Sequence, residues 1–378
     1  MKILHLVSCR GWSSDAYWAA RVSRELERRG HDVTLGLRAG TEAKVIDRAR
    51  REGVGRITTF GFAGGVRPGV DAADVRRLVR ALGAADVVHV HRGKEHWLAA
   101  VANRLTSTPR PIVRTRHIVQ AVRSHAANRW LYRKATALVV AVTDAIRRQY
   151  VAADLVPPER VVTIPGGADA ALYRPEAVDP VIREKLGGAP GRPLIGVVSG
   201  LRIMKGHAVV VEAIRQLVER GLDTRVAFVG RGTQEPVIRE AVARAGLADR
   251  VSLAGFVDAL PETMRALDVA LYPALESEGM SRVVFEYLAS GCPLIAARVG
   301  VVPEILRDGE HALLVPAGDA PALAGAIARL IADPSLGTTL GASGRRLVEA
   351  RYSGDRVAAA LEGHYERLAW SGARAPAA

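Results

Sequence analysis

Residues 268–306 read DVALYPALESEGMSRVVFEYLASGCPLIAARVGVVPEIL, and this stretch decides the fold. Residues 269–274 are a short apolar run that predicts a buried strand, and the polar, glycine-containing LESEGMS predicts a turn. Residues 282–289 have helical composition and end at Ser-Gly-Cys-Pro, after which residues 294–297 predict a second strand. The loop of this strand–loop–helix–strand unit lies at the carboxyl end of a strand, where open parallel sheets bind ligands.

Two glutamates of this unit, Glu278 and Glu286, are candidates for ligand contact. A carboxylate at this edge of a sheet can accept hydrogen bonds from a ribose diol or from sugar hydroxyls. The helix start between them, at Gly279, Met280 and Ser281, offers N–H groups to a phosphate. These features suit a nucleotide-sugar, although two solvated glutamates on a surface helix would have the same spacing.

The segment ESEGMSRVVFEYLASGCPLIA, followed by VGVVPEIL, resembles the Glu-x7-Glu signature of the family 4 retaining glycosyltransferases. The resemblance extends from residue 1 to about residue 370. It implies the GT-B fold, an α/β architecture of two Rossmann-like, doubly wound parallel-sheet domains that face a cleft. By this resemblance, residues 1–170 form the acceptor domain, residues 190–350 bind the nucleotide-sugar donor, and a helix at 351–370 packs back on the first domain.

The length, composition and charge of the chain limit the class of protein to which it can belong. The chain has 378 residues, enough for two or three domains, and 49% of them are apolar, enough for buried cores. The net charge of +14 is mostly arginine, and codon bias explains it as well as an anionic partner does. Cys9 and Cys292 give no disulfide framework and suit a reducing cytoplasm. No signal peptide and no apolar run of about 18 residues is visible, so any membrane association is expected to be peripheral, at the cytoplasmic face of the inner membrane.

The rest of the chain alternates strands and helices, which predicts parallel doubly wound sheets. The first series of strands begins with KILHLVS and ends with VVTIP, and the second begins with PLIGVVS at residues 193–199. Residues 335–370 are expected to be helical, with breaks at Gly337, Gly341 and Gly354.

Two loops of the first half carry candidate site residues. Gly11, Ser13 and Ser14 lie between the first strand and its helix, where a glycine loop can cradle an anion, and the family usually has a Gly-Gly pair here. An ordinary turn with Ser14 or Asp15 as the N-cap is the alternative.

His117 ends a later strand, and the resemblance implies that it bonds a hydroxyl of the transferred sugar. A capping or core histidine is the alternative.

Two loops of the second half carry further candidates. Gly200, Arg202 and Lys205 follow the first strand of this half, and a lysine before a glycine and a helix start suits contact with a diphosphate. The family has an arginine and a lysine five residues apart here, so Gly200 stands in the arginine's position. Either Lys205 suffices together with backbone N–H donors, or Arg202 substitutes for the arginine. Gly230 and Gly232 resemble the family's Gly-x-Gly loop beside the nucleotide, where glycine permits close backbone approach.

Histidines and basic residues of the first half leave alternatives open. His89 and His91 share one face of a strand, as a metal-binding pair would. No acidic or cysteine cluster completes such a site and no Asp-x-Asp motif occurs, so structural or acceptor-side roles and a reaction without metal or cofactor are expected.

Residues 118–135 combine four cations with Trp130 and Tyr132, which suits anionic headgroups, a phosphorylated glycolipid, a nucleic acid or a solvated helix.

The sequence therefore predicts a retaining, metal-independent transferase that moves a sugar from a nucleoside-diphosphate sugar to a glycan or glycolipid, in cell-envelope glycan or lipopolysaccharide synthesis. By the resemblance, His117 orients the sugar, Glu278 contacts it and Glu286 holds the donor ribose. Lys205 and Arg202 stabilise the departing diphosphate. Two alternatives stay open: a nucleotide-sugar epimerase of the same architecture, and a non-catalytic binding protein for nucleotides or nucleic acid. Nucleic acid is not the expected partner.

Overall fold

The structure is a computed structural model that describes residues 1–276 and 279–373 of the chain. It divides into two compact units. The first unit contains residues 1–166 together with the chain from Gly354 onward, and the second contains residues 167–353.

In the first unit, the described residues form a seven-stranded sheet in the order β3-β2-β1-β4-β5-β6-β7, with every neighbouring pair parallel. The strands are β1 (Lys2–Val7), β2 (Asp32–Arg38), β3 (Ile57–Phe60), β4 (Val87–Val90), β5 (Ile112–Arg116), β6 (Leu138–Ala141) and β7 (Val161–Thr163). The helices are α1 (Ser14–Arg28), α2 (Asp47–Arg51), α3 (Pro68–Gly83), α4 (Gly93–Leu105), α5 (Ala126–Trp130) and α6 (Asp144–Ala152). The strand order changes direction between β1 and β4, which is where sheets of this type leave a crevice.

In the second unit, the described residues form a six-stranded parallel sheet in the order β10-β9-β8-β11-β12-β13. The strands are β8 (Leu194–Val198), β9 (Arg225–Val229), β10 (Val251–Gly255), β11 (Val269–Tyr272), β12 (Leu294–Ala297) and β13 (Leu313–Val315). The helices are α7 (Pro180–Lys185), α8 (His207–Glu219), α9 (Glu235–Arg244), α10 (Leu260–Arg265), α11 (Arg282–Ala289), α12 (Val302–Ile305), α13 (Ala320–Ala332) and α14 (Pro334–Leu347). Both sheets confirm the predicted parallel, doubly wound architecture.

The central strands of each sheet are buried on both faces, as near-continuous apolar runs require. All of β1 after Lys2 is buried, including His5. The register of β1 against β4 pairs His5 with His89, so two imidazoles lie side by side in the core of the first unit.

The predicted helix breaks at Gly337 and Gly341 are wrong, because α14 runs through both positions. A Cβ on Gly341 would come 2.1 Å from the carbonyl oxygen of Gly291. Glycine is therefore needed for close packing of α14 against the connection between α11 and β12, and the helix tolerates its entropic cost. The chain does leave the α-helix before Gly354, through a π-helical turn at Val348–Tyr352.

The last helix, α15 (Gly354–Ala373), packs within the first unit. The hydroxyl of buried Tyr365 bonds Nδ1 of His89 and lies 3.3 Å from Nε2 of His5. Nearer the surface, Glu362 accepts hydrogen bonds from Arg29 Nε at 2.8 Å and pairs with His31 Nε2 at 2.7 Å. Within the described residues, no helix is both long enough and apolar enough to cross a bilayer.

Candidate functional site

The loops that follow β8 and β9 pack backbone against backbone. Gly230 has a φ of +145°, and a Cβ there would come 2.0 Å from the carbonyl oxygen of Ser199. A Cβ on Gly232 would come 2.2 Å from the carbonyl oxygen of Leu201. Any side chain at either glycine would force a backbone to move. The close approach that these glycines permit is therefore, in this structure, between two loops of the protein itself.

The Lys205 loop is also clamped to the segment that leaves β11. Ile203–Lys205 forms a short 3-10 turn that ends at Gly206, which has a φ of +73°. A Cβ on Gly206 would come 1.9 Å from the carbonyl oxygen of Pro273. The N–H of Leu275 donates to the carbonyl of Met204 at 2.9 Å. The loops after β8, β9 and β11 consequently form one packed edge at the carboxyl ends of three neighbouring strands.

Cations from two of these loops lie at this edge. Lys205 is half-buried, and Arg202 and Arg231 are exposed. Behind them, buried His207 has its Nε2 3.2 Å from Ser199 Oγ. Burial lowers the pKa of His207 to about 4, and the charge of Lys205 acts in the same direction. His207 is therefore neutral at neutral pH, and the positive charge of this edge comes from the lysine and the arginines.

Arg202 lies beside the position at which the family arginine would begin. A Cβ placed on exposed Gly200 would lie 3.8 Å from Arg202 Nε and 3.6 Å from the carbonyl oxygen of Arg231. The Arg202 guanidinium thus occupies space next to Gly200. This geometry is compatible with Arg202 as the substitute cation, and that role stays a prediction.

The loop between β11 and α11 contains the other predicted residues. Ser281 precedes α11 in a left-handed conformation, φ 54° and ψ 58°, which is uncommon for a residue other than glycine. Its Oγ bonds the hydroxyl of Tyr272 at the end of β11. Gly279 and Met280 are buried next to it. Glu278 lies outside the described residues, and its contact with the sugar stays a prediction.

Glu286 lies just over one turn into α11 and is only 1% exposed. Its Oε1 lies 3.2 Å from Arg282 Nε. On the next residue, the Tyr287 hydroxyl accepts a hydrogen bond from the N–H of Val198 at 2.6 Å and so ties α11 to the end of β8. Sequence reasoning missed Arg282, although its spacing of four residues from Glu286 on one helix was a usable signal.

In the first unit, Ser13 rather than Ser14 or Asp15 is the N-cap residue of α1. Its side chain does not cap the helix but bonds the Asp15 carboxylate and receives a 3.1 Å hydrogen bond from Arg92 Nη2. Burial raises the pKa of Asp15, but hydrogen bonds and charge from Arg92 outweigh it and hold that pKa well below its ordinary value. The hydroxyl of Ser13 is thus already engaged within the protein, whereas Ser14 is exposed.

Gly11 and Ser13 line a cavity of about 480 Å³ at the carboxyl ends of β1, β2, β3 and β4. Four of its lining side chains are cationic: Arg10, Arg38, Arg92 and Lys94. The sequence predicted an anion cradle at Gly11 but not this cluster, because its cations come from the carboxyl ends of three different strands or from the segments after them.

His117 comes directly after β5 and contacts a histidine that comes directly after β4. Its Nε2 lies 3.0 Å from His91 Nδ1, and the two rings stack with centroids 5.3 Å apart. The Trp18 ring meets His117 edge-on at 5.5 Å. Burial lowers the pKa of His117 to about 4, against the opposing charge of Asp15. The His117 side chain is therefore a neutral imidazole at neutral pH.

Among the described residues, His5, His89 and His91 form a group that could hold a metal ion, with candidate ligand atoms within 4.8 Å of one another. All three are buried. Both ring nitrogens of His89 already have hydroxyl partners, Tyr365 through Nδ1 and Thr115 through Nε2 at 2.5 Å. A metal would have to displace one of those hydroxyls, so the arrangement favours a structural role.

The aromatic residues of the basic segment 118–135 pack inward. Trp130 stacks on Trp97 with centroids 5.9 Å apart, and buried Tyr132 accepts a 3.1 Å hydrogen bond from the hydroxyl of Tyr150. The cations of this segment remain exposed. This packing fits a solvated helix and does not by itself indicate an anionic partner.

A larger cavity of about 880 Å³ lies elsewhere in the second unit. Pro193, Asp268 and Pro293 line it, and each immediately precedes a strand. It therefore lies at the amino ends of β8, β11 and β12, opposite the edge where parallel sheets bind ligands. We do not assign the donor to it.

Solved structures with the same fold span almost the whole chain. A glycosyltransferase from Rickettsia africae superposes with a TM-score of 0.85 at 19% identity, covering 97% of this chain and 98% of that one. HepE from Anabaena, in a complex with UDP, superposes with a TM-score of 0.82 at 21% identity, covering 97% and 100%. This likeness confirms the predicted GT-B fold.

Sequence comparisons identify the family. Residues 16–172 match the model described as Glycosyltransferase Family 4, and residues 192–333 match the model described as Glycosyl transferases group 1. The lipopolysaccharide core biosynthesis mannosyltransferase LpcC of Rhizobium leguminosarum is 32% identical over 289 residues, covering 75% of this chain and 78% of that protein. The 2-deoxystreptamine glucosyltransferase of Streptomyces kanamyceticus is 30% identical over 307 residues, with the same two coverages. The chain therefore belongs to the family 4 glycosyltransferases and carries a group 1 glycosyltransferase domain in its second unit.

Proposed function

We propose that this glycosyltransferase moves a sugar from a nucleoside-diphosphate sugar to a hydroxyl acceptor and retains the anomeric configuration. The observation that carries the proposal is the packed edge of the second sheet, where the loops after β8, β9 and β11 are locked together by Gly206, Gly230 and Gly232. This edge holds Lys205 and lies beside the start of α11, the combination that a diphosphate and a ribose require. HepE, which shares the fold, was crystallised with UDP, in agreement with this proposal.

The second unit binds the donor. Lys205 and Arg202 neutralise the charge that builds on the departing diphosphate, which is the main catalytic task of the site. Backbone N–H groups at Gly279, Met280 and Ser281 assist at the start of α11. Glu286 accepts hydrogen bonds from the ribose hydroxyls. Exposed Gly200 leaves the backbone after β8 accessible to the nucleotide, and Gly230 and Gly232 hold that loop in place by close packing.

The transferred sugar is held by Glu278 and His117. Glu278 contacts the sugar or supports the positive charge that develops on it. His117, as a neutral imidazole, forms a hydrogen bond with a sugar hydroxyl and orients the anomeric carbon. The contact between His91 and His117 restricts the rotation of the catalytic ring.

The acceptor is a glycan or glycolipid, bound by the first unit. A role in cell-envelope glycan or lipopolysaccharide synthesis agrees with the name of the Rhizobium relative, a lipopolysaccharide core mannosyltransferase. Transfer of a sugar to such an acceptor would place the enzyme in the cytoplasm, in peripheral association with the inner membrane. No metal and no cofactor take part in the proposed reaction.

A thermal-shift panel of UDP-, GDP-, ADP- and TDP-sugars tests the proposal, because a ligand that binds only the native state raises the melting temperature. One nucleotide class is expected to raise it, and NMR of the product with that donor is expected to show the donor's anomeric configuration. An inverted product would refute retention. An epimerase would instead interconvert donor sugars without an acceptor. A nucleic-acid-binding protein would bind no sugar nucleotide and would lose affinity for DNA or RNA steeply with salt.

A further inference from the structure

We propose that the cationic cavity of the first unit is an acceptor subsite that binds a phosphate group carried by the acceptor sugar. The inference rests on the proposed function, since it takes the second unit as the donor unit and leaves the first for the acceptor. The cavity, of about 480 Å³, falls within the size range of small-ligand pockets. Its four cations make an anion the ligand group that it would select.

The charge of the cavity is only partly neutralised by the protein. Arg92 pairs with Asp15, and Lys94 pairs with Asp71 at 2.6 Å. Across residues 1–276 and 279–373, neither Arg10 nor Arg38 has an ion pair or a side-chain hydrogen bond. None of the described side chains that line the cavity carries a carboxylate. The guanidinium groups of Arg10 and Arg38 therefore line the cavity without a carboxylate partner among these residues, and guanidinium binds phosphate with paired, parallel hydrogen bonds.

The segment after β3 forms another part of the cavity wall and is held by hydrogen bonds. Phe62 lines the cavity in a left-handed conformation, with a φ of 40°. Buried Asp74 accepts hydrogen bonds from the N–H groups of Gly61 and Phe62, both at 2.7 Å, and so holds the strained turn. A rare backbone conformation maintained by a dedicated carboxylate is typical of a preorganised binding loop.

Gly64 makes room for one of the two arginines. A Cβ at this position would come 2.1 Å from Arg10 Nη2. Because the contact is with the end of a flexible side chain, alanine at Gly64 would displace the guanidinium without breaking the fold. This position therefore allows the arrangement of the cations to be changed while their number stays constant.

The remaining wall suits a sugar. Half-buried Trp12 lines the cavity and packs edge-on against Tyr17 at 6.3 Å. Its ring offers an apolar surface next to the arginines, as required by a ligand with a sugar ring on one side and a phosphate on the other. The ligand class is thus a phosphorylated sugar, either soluble or the headgroup of a phosphoglycolipid.

Calorimetry with D-glucose 6-phosphate and D-glucose as probes tests the subsite. We expect the phosphate ester to bind and glucose not to bind at the same concentration. Arg38→Gln and Gly64→Ala should each weaken binding of the phosphate ester by about tenfold, near 1.4 kcal/mol. Arg76→Gln is the matched control, because it removes the same charge from an exposed position on α3 outside the cavity. Equal affinities for wild type, Arg38→Gln and Arg76→Gln would overturn the proposal.

Two further experiments are needed. One identifies whether the phosphate belongs to a lipid or to a soluble sugar, and the other tests the subsite separately from the proposed function. The first experiment is co-sedimentation of the wild type and Arg38→Gln with phosphatidylglycerol vesicles. If Arg38→Gln abolishes the co-sedimentation, the phosphate belongs to a lipid. If Arg38→Gln leaves it unaffected, the phosphate belongs to a soluble sugar. The donor panel is measured on the same variants. Intact donor binding with lost glucose 6-phosphate binding supports the subsite. A wild type that binds donors but no sugar phosphate refutes the subsite alone, and one that binds sugar phosphate but no donor refutes the proposed function alone.

Discussion

Nδ1 of His91 lies 3.0 Å from Nε2 of His117, so the histidines that follow two neighbouring strands share one hydrogen bond. One ring must donate and the other must accept, because both imidazoles are neutral at neutral pH. The pairing fixes the tautomer of one ring relative to the other. It also leaves Nδ1 as the second polar atom of His117, buried and without a partner among the described residues.

The first prediction concerns this pair. His117→Ala should lower the transfer rate by about 10²-fold or more, because the sugar loses an orienting hydrogen bond, while nucleoside diphosphate affinity stays nearly unchanged. Steady-state kinetics and calorimetry measure the two effects. His364→Ala, at a histidine on α15 that bonds Arg367, is the control and should leave both unchanged. Transfer at the wild-type rate in His117→Ala would return His117 to a structural role.

The second prediction concerns acid stability. Burial lowers the folded-state pKa of His5 to about 3 and of His117 to about 4, whereas both should titrate near 6.5 when unfolded. Between those values the unfolded chain binds more protons, so the free energy of unfolding should fall as the pH drops below about 6.5. Each such histidine contributes a slope of up to about 1.4 kcal/mol per pH unit. Melting temperatures from pH 7.5 to pH 5 measure this, and a protein that gains stability on acidification would contradict it.

The third prediction concerns the diphosphate cations. Lys205→Ala should lower kcat on the order of 10²–10³-fold, as the loss of one preorganised charged donor does. Arg202→Ala should cost at least about tenfold, near 1.4 kcal/mol in the barrier. If Arg202→Ala is silent while Lys205→Ala is severe, exposed Arg231 on the next loop becomes the candidate for the substitute cation. If both variants are silent, the proposed role of this loop is wrong.

The fourth prediction concerns the ribose. Glu286→Gln should weaken donor binding by about 1.5–3 kcal/mol, because a charged acceptor of hydroxyl protons is replaced by a neutral amide. The change also removes the ionic partner of Arg282 from a buried position, so thermal melting must be checked alongside calorimetry. A folded variant with wild-type donor affinity would reject the role.

The fifth prediction concerns metal. Turnover should survive excess EDTA, since Lys205 and Arg202 are proposed to supply the positive charge that a divalent cation would otherwise bring to the diphosphate. The prediction is checked by measuring transfer rates with and without the chelator at constant ionic strength. Loss of activity that Mg²⁺ or Mn²⁺ restores would show that the account of diphosphate stabilisation is incomplete.

Much of the fold and part of the site could be predicted from the sequence, because those features are local. Strand and helix periodicity extends over a few residues, so the two parallel sheets and the unit from β11 to β12 are readable from patterns alone. The same applies to Lys205 and Gly230, which lie in the loops that follow β8 and β9. The error at Gly341 has the opposite origin. Glycine predicts a local helix break, but here it permits close packing against Gly291, 50 positions away, because a Cβ would come 2.1 Å from the carbonyl oxygen of Gly291.

The sequence by itself thus determined which residues follow strands, and hence which edge of each sheet carries the candidate site. Only the tertiary structure decided which of those residues meet. The strand order β3-β2-β1-β4 brings Arg10, Arg38 and Arg92 to one cavity, although 28 and 54 positions separate them along the chain. The pairing of β4 with β5 places His91 against His117 in the same way. Such encounters depend on strand order and packing, for which the spacing of residues along a chain contains no signal.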